Sequence, residues 1–199
     1  LDTFLMVFIL GAVKAYRRNY IDLTILEYYI FSMSIRLMCR KVHLSAKLLN
    51  IIGDGMSLED VDEWMARRIP IPALNDTLDD IEYSSWIALI ERELEGDTLS
   101  EALKISTHDE NKLGIYFFTD YVEEIFWALF LLGLYEVLQK PEFISESIIS
   151  CIKQSYLSEI YTCERIQDED FQACISNLQE ISDTNISGQL SKDLITMKA

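Results

Sequence analysis

Two apolar runs govern what this chain can become: FLMVFILGAV at residues 4–13 and IFWALFLLGLY at residues 125–135. Runs of this kind are stable only out of water, in a lipid bilayer or a protein core. Each is about half of the roughly 20 residues that a helix needs to cross a bilayer. Glu123 and Glu124 precede the second run and Glu136 follows it, so it reads as a central core helix. Trp127, Phe130, Leu131 and Leu134 share one face of that helix and form its expected core stripe. The first run lacks the basic leader and small-residue cleavage site of a signal peptide. No membrane partner is expected for either.

A chain with such runs and only seven Gly and three Pro in 199 residues is built from long regular elements, not turn-rich sheet. Half the residues are apolar, enough for a sizeable core. The expected fold is all-α, a single-domain bundle of about eight or more helices. The first runs from about Asp2 to Arg18 and stops at Asn19, with basic residues in its last turn, where the helix dipole favours them. Asp22 starts LTILEYYIFS, which breaks near Ser32 to Ser34 before IRLMCRKV. Ser45 caps AKLLNII, and Gly53 to Gly55 closes it. Ser57 caps a helix to Arg68, with Asp60 at the capping-box position. IPIP at 69–72 cannot be helical throughout, because each Pro biases the residue before it toward extended backbone. A long helix is expected from about Asn75 to Glu95, a short one from Thr98 to Ile105, and a strong one from Thr119 to Lys140. Ser145 caps another, and a last one begins near Asp168. The domain spans 1–182, with possible sub-halves 1–105 and 115–182 either side of the polar connector STHDENKLG, and residues 183–199 form a weakly patterned tail.

An internal echo supports halves. LGAVKAYRRNYIDLTILEYYI from Leu10 resembles LGLYEVLQKPEFISESIISCI from Leu132, given one inserted residue at the turn. Both read as an apolar run, Leu-Gly, a polar turn, an aromatic-Ile pair, a cap and an apolar helix. Duplication and convergence of two helical hairpins both account for it.

Charge narrows the function. The formal net charge is −16. Residues 1–52 carry seven bases and three acids, a balance of +4, and the remainder of the chain carries −20. Such a balance disfavours binding to nucleic acid or to anionic membranes. Cys39, Cys151, Cys163 and Cys174 form no CxxC; His43 follows Cys39 by four residues, His108 lies far from every cysteine, and no second ligand pair accompanies them. Reduced, buried thiols in a cytoplasmic protein are expected, with no metal site and no cofactor. There is no GxSxG, phosphate-binding loop, GxGxxG or HExxH. Asp76, Asp79 and Asp80 stand at i, i+3 and i+4 on one helix face, as in helical magnesium-dependent nucleotide hydrolases. No convincing ExxE partner or phosphate-clamping cation accompanies them, and acids in a first helical turn are favoured locally. No catalytic residue is assigned, and the chain is expected not to be an enzyme.

The densest acidic stretch is GDGMSLEDVDEW, 53–64. As a calcium loop starting at Asp54 it fails, because Met56, Leu58 and Glu59 stand where two oxygen ligands and a glycine belong. FILGAVKAYRRNYIDLTILEYYIF, AKLLNIIGDGMSLEDVDEWM and IPALNDTLDDI together resemble a family of small helical bacterial proteins of unknown function, over roughly residues 7–90. Such proteins are similar in size and habit to the immunity proteins of contact-dependent inhibition and other polymorphic-toxin systems. The resemblance leaves about 100 further residues unaccounted for. It implies a protein that binds and neutralises a cognate toxin domain, expected to be a basic nuclease. An acidic face would steer encounter with such a toxin and occupy its cleft. The expected partner-binding residues are Glu59, Asp60, Glu63, Trp64, Asp76, Asp79, Asp80, Glu82 and Tyr83, with Trp64 and Tyr83 as aromatic anchors. A helical adaptor or regulatory protein, and less so the magnesium hydrolase, are the alternatives.

Overall fold

A computed structural model of the chain describes residues 1–58, 72–95, 99, 123–140, 143 and 176. Among these, every regular element is a helix: α1 (Asp2–Arg17), α2 (Leu23–Tyr29), α3 (Met33–Lys41), α4 (Ala46–Gly55), α5 (Pro72–Glu95) and α6 (Glu123–Leu138). Six helices are thus described where eight or more were expected. The expected helices 57–68, 98–105, 145–166 and 168–182, and the tail, lie outside the described residues except for Ser57, Leu58, Leu99 and Ser176.

The boundaries follow local chemistry. Asp22, Ser32 and Ser45 are N-caps whose side chains accept the backbone N–H three residues on, at Ile25, Ile35 and Leu48. α1 and α3 end by the same device. Asn19 and His43 take a left-handed conformation, each with φ of 59°. Tyr20 N–H then reaches back to the Ala15 carbonyl, and Leu44 N–H to that of Cys39. Pro72 opens α5, a position where its missing N–H leaves no bond unmade.

The two apolar runs lie at the centre. α1 packs most extensively against α6, with α5 and α4 also in contact with it. From Asp2 to Val13 every residue of α1 is buried. In α6, Phe130, Leu131 and Leu134 are buried as expected, but so are Ala128, Leu129, Leu132, Val137 and Leu138. Burial therefore runs around the helix and is not confined to a stripe; the Trp127 side chain is outside the described set. Phe4 stacks on Phe130 with ring centroids 4.3 Å apart. No helix among the described residues is long and apolar enough to cross a membrane.

Two glycines let α1 and α6 meet backbone to backbone. A Cβ added at Gly11 would lie 1.8 Å from the Leu129 carbonyl oxygen, and one at Gly133 would lie 1.9 Å from that of Val7. Only residues without a side chain permit so close a crossing. Lys14 and Glu136 pair at 3.1 Å on one side of it.

The start of α1 is pinned by a polar knot. Asp2, though buried, accepts hydrogen bonds from Ser45 N–H at 3.0 Å and Ser45 Oγ at 3.2 Å, and it pairs with Arg92. This carboxylate ties the ends of α1, α4 and α5 together. Burying a charge is tolerable only where it is paired and hydrogen-bonded in this way.

Candidate functional site

α5 carries five of the nine expected partner-binding residues: Asp76, Asp79, Asp80, Glu82 and Tyr83. Its inner face is set by Leu78, Ile81, Ser85 and Leu89, all buried. The Ser85 hydroxyl donates to the Ile81 carbonyl at 2.8 Å, so this polar group costs the core little. With the inner face fixed, 3.6-residue periodicity fixes the outer one.

The structure divides the expected acids into two groups. Arg17 of α1 reaches across to α5, pairing with Asp79 through one guanidinium nitrogen and with Glu82 through the other, the latter at 3.1 Å. Asp79 and Glu82 therefore have a partner inside the chain. On the opposite flank Lys47 of α4 pairs with Glu91. Three bases of the positive first quarter (Lys14, Arg17 and Lys47) thus each hold an acid from the negative remainder. Such pairs at the surface contribute only about 0–1 kcal/mol each, but they orient the carboxylates involved.

Asp76 and Asp80 are exposed and take part in none of these pairs. Tyr83 is 67% exposed, and two residues missed by sequence reasoning, Ile87 and Ile90, are each 38% exposed. The spacing from Asp76 through Asp80, Tyr83 and Ile87 to Ile90 is four, three, four and three. At about 100° per residue these five side chains fall within an arc of roughly 80°. They form one outward stripe, acidic at its N-terminal end and apolar at its C-terminal end, framed by the Arg17 and Lys47 ion pairs. The pattern was present in the sequence, but α5 carries apolar residues on both faces, so periodicity alone did not say which set was buried.

Glu59, Asp60, Glu63 and Trp64 lie outside the described residues. Asp54 is exposed, and its carbonyl accepts from the Ser57 hydroxyl at 2.7 Å. Among the described residues no three His, Cys, Asp or Glu side chains stand together as metal ligands would. Arg17 pairs with Asp79, the middle acid of the Asp76/Asp79/Asp80 set on which the magnesium alternative rests. Cys39 is buried, and desolvation, with the nearby Asp2 charge adding to it, pushes its thiol up to about 11. It is a packing group rather than a nucleophile.

No curated protein and no solved structure matches this chain. The resemblance seen over residues 7–90 falls inside a match to a described protein family that spans residues 1–102, more than half of the sequence. The chain belongs to the family described as Protein of unknown function (DUF3969).

Proposed function

We propose that this chain is an immunity protein that neutralises a basic, nuclease-type antibacterial toxin by binding it through the outward stripe of α5. The observation that carries the reading is the stripe itself. Asp76 and Asp80 project charge beside an unbroken exposed run of Tyr83, Ile87 and Ile90. Stable interfaces combine a desolvated aromatic and aliphatic anchor with complementary charge at its edge. The net charge of −16 adds long-range attraction toward a cationic partner. Neutralisation of this kind requires neither a catalytic residue nor a cofactor, only occupancy of the toxin.

The two ends of the stripe have separable roles. Asp76→Asn with Asp80→Asn should slow association several-fold and flatten its salt dependence, since exposed charges act over a Debye length of about 10 Å at 0.1 M salt. Tyr83→Ala with Ile87→Ala should leave association nearly unchanged and accelerate dissociation. The partner to test is a basic C-terminal domain of a secreted protein encoded beside this chain, with rates read by stopped flow and protection read as survival of toxin-expressing cells. Full protection and unchanged rates in both variants would remove α5 from the binding face. Magnesium-dependent nucleotide hydrolysis by the purified protein would replace the immunity reading with the enzymatic one.

A further inference from the structure

Displacing the sequence by 122 positions lays Phe4, Val7, Phe8, Leu10, Gly11 and Lys14 on Phe126, Leu129, Phe130, Leu132, Gly133 and Glu136. The echo thus extends back beyond Leu-Gly, and the structure places the two occurrences face to face. The Leu129 carbonyl, four residues before Gly133, closes over Gly11, and the Val7 carbonyl, four residues before Gly11, closes over Gly133. Val7 and Leu129 are counterparts under the displacement, as are the glycines, so each contact is the image of the other. A Cβ on Gly11 would meet Gly133 N at 2.6 Å, and a Cβ on Gly133 would meet Gly11 N at 2.9 Å, a second reciprocal pair. Lys14 pairs with Glu136, its own counterpart. The order of contacts rises along both helices together, Phe4 with Phe130, Gly11 with Gly133 and Lys14 with Glu136, so the helices run in the same direction. Contacts of i with the image of j and of j with the image of i define an isologous interface about a two-fold axis.

We propose that this chain is two copies of one helical unit joined in tandem, and that the α1–α6 crossing is the homodimer interface of that unit made internal. The family match, residues 1–102, contains only the first occurrence. One position departs from symmetry in a telling way. Where the axis brings a residue against its own counterpart, the first unit carries Lys14 and the second carries Glu136. Two α1 faces from separate chains would set lysine against lysine, and two α6 faces would set glutamate against glutamate. Only α1 on α6 joins opposite signs, so the surface on α1 that fits a second copy is directed to the chain's own second half. Specificity here comes from repulsion in the wrong pairs as much as from attraction in the right one.

The test exchanges the two faces in the full-length protein. Val7→Leu, Lys14→Glu and Ala15→Val rewrite α1 with its counterpart's residues, and Leu129→Val, Glu136→Lys and Val137→Ala rewrite α6. Under a two-fold the complete exchange keeps the opposite charges paired and the summed volume of the swapped positions, whereas either half alone sets like charges together and mismatches volume. In a chain of this size each half-exchange should lower Tm by about 5 °C or more, and the complete exchange should return to within about 2 °C of the parent. A complete exchange no more stable than the worse half would overturn the proposal, because a convergent crossing has no reason to accept swapped faces. Should the six-residue variants fail to fold, two smaller exchanges ask the same question: Val7→Leu with Leu129→Val, and Lys14→Glu with Glu136→Lys, each against its single variants. Rescue in both supports the two-fold. Rescue of the charge pair alone marks an ordinary ion pair and overturns it.

Discussion

Replacing Gly133 by Ala tests the central packing of the fold. In an exposed helix that change stabilises by about 1 kcal/mol, because alanine has the higher helix propensity. Here the new Cβ would sit 1.9 Å from the Val7 carbonyl oxygen and 2.9 Å from Gly11 N. Carbon and oxygen pack at about 3.3 Å or more, so α1 and α6 would have to part by roughly 1.4 Å. A gap of about 0.5–1 Å already forfeits a quarter to a half of the dispersion well at each contact, and the Phe4–Phe130 stack lies beside this crossing. The obstacle is backbone on an all-round buried helix, so no rotamer change relieves it. The gross cost should reach about 3–5 kcal/mol, above the usual 1–3 for overpacking. Subtracting the propensity gain leaves a net loss of about 2–4 kcal/mol, a fall in Tm of roughly 5–15 °C for a chain of this length. Urea and thermal unfolding followed by far-UV circular dichroism would measure it. Gly53→Ala is the control: its Cβ meets the Arg36 guanidinium at 3.3 Å, a flexible group that can move, so it should be neutral or slightly stabilising. A Gly133→Ala protein as stable as the parent would refute the backbone-contact argument.

Two further perturbations address the polar groups of the core. Asp2→Asn removes the charge that Arg92 pairs with inside a buried knot, and should cost roughly 2–3 kcal/mol in urea unfolding; a loss below about half a kilocalorie would mean the knot is solvated in solution. Cys39, with its thiol pushed up from 9.0 to about 11, is protonated in both folded and unfolded chains below pH 9. Between pH 9 and 11 the unfolded chain releases this proton first, so the parent should lose stability relative to Cys39→Ala as pH rises through that window. Mass-spectrometric mapping of thiol alkylation should in addition find Cys39 unlabelled at pH 7.5 until the protein unfolds.

Much of this architecture was legible because its signals are local. A cap is decided within four residues, so Asp22, Ser45 and the stop at Asn19 could be read directly, while near Ser32 only the break was read. The second apolar run, too short for a bilayer and flanked by glutamates, read as a central helix. The fate of individual acids was not local. Asp79 and Asp80 are neighbours with the same chemistry, and only the placement of Arg17 by a helix more than sixty residues away assigns one to an ion pair and leaves the other outward. α5 offers two apolar faces, and the choice between Leu78/Ile81/Leu89 and Tyr83/Ile87/Ile90 was made by what packs against it. The Leu-Gly echo was visible as a pattern. That its two occurrences touch each other is a tertiary fact that no spacing rule contains.

The α1–α6 crossing also has a consequence for how the protein is made. Gly11 and Gly133, which meet at the crossing, are 122 positions apart. Helical proteins usually fold through near neighbours in sequence, and this one packs α1 most extensively against a helix that begins more than a hundred residues further on. At about 5–20 residues per second, α1 waits roughly 6–25 s on the ribosome before α6 is translated. Throughout that interval the surface that finally buries Phe4, Val7 and Gly11 is open to other chains emerging from the same message, each presenting the same nascent α1. Lys14 would then act during synthesis, as a charge that keeps neighbouring nascent chains from pairing before Glu136 exists.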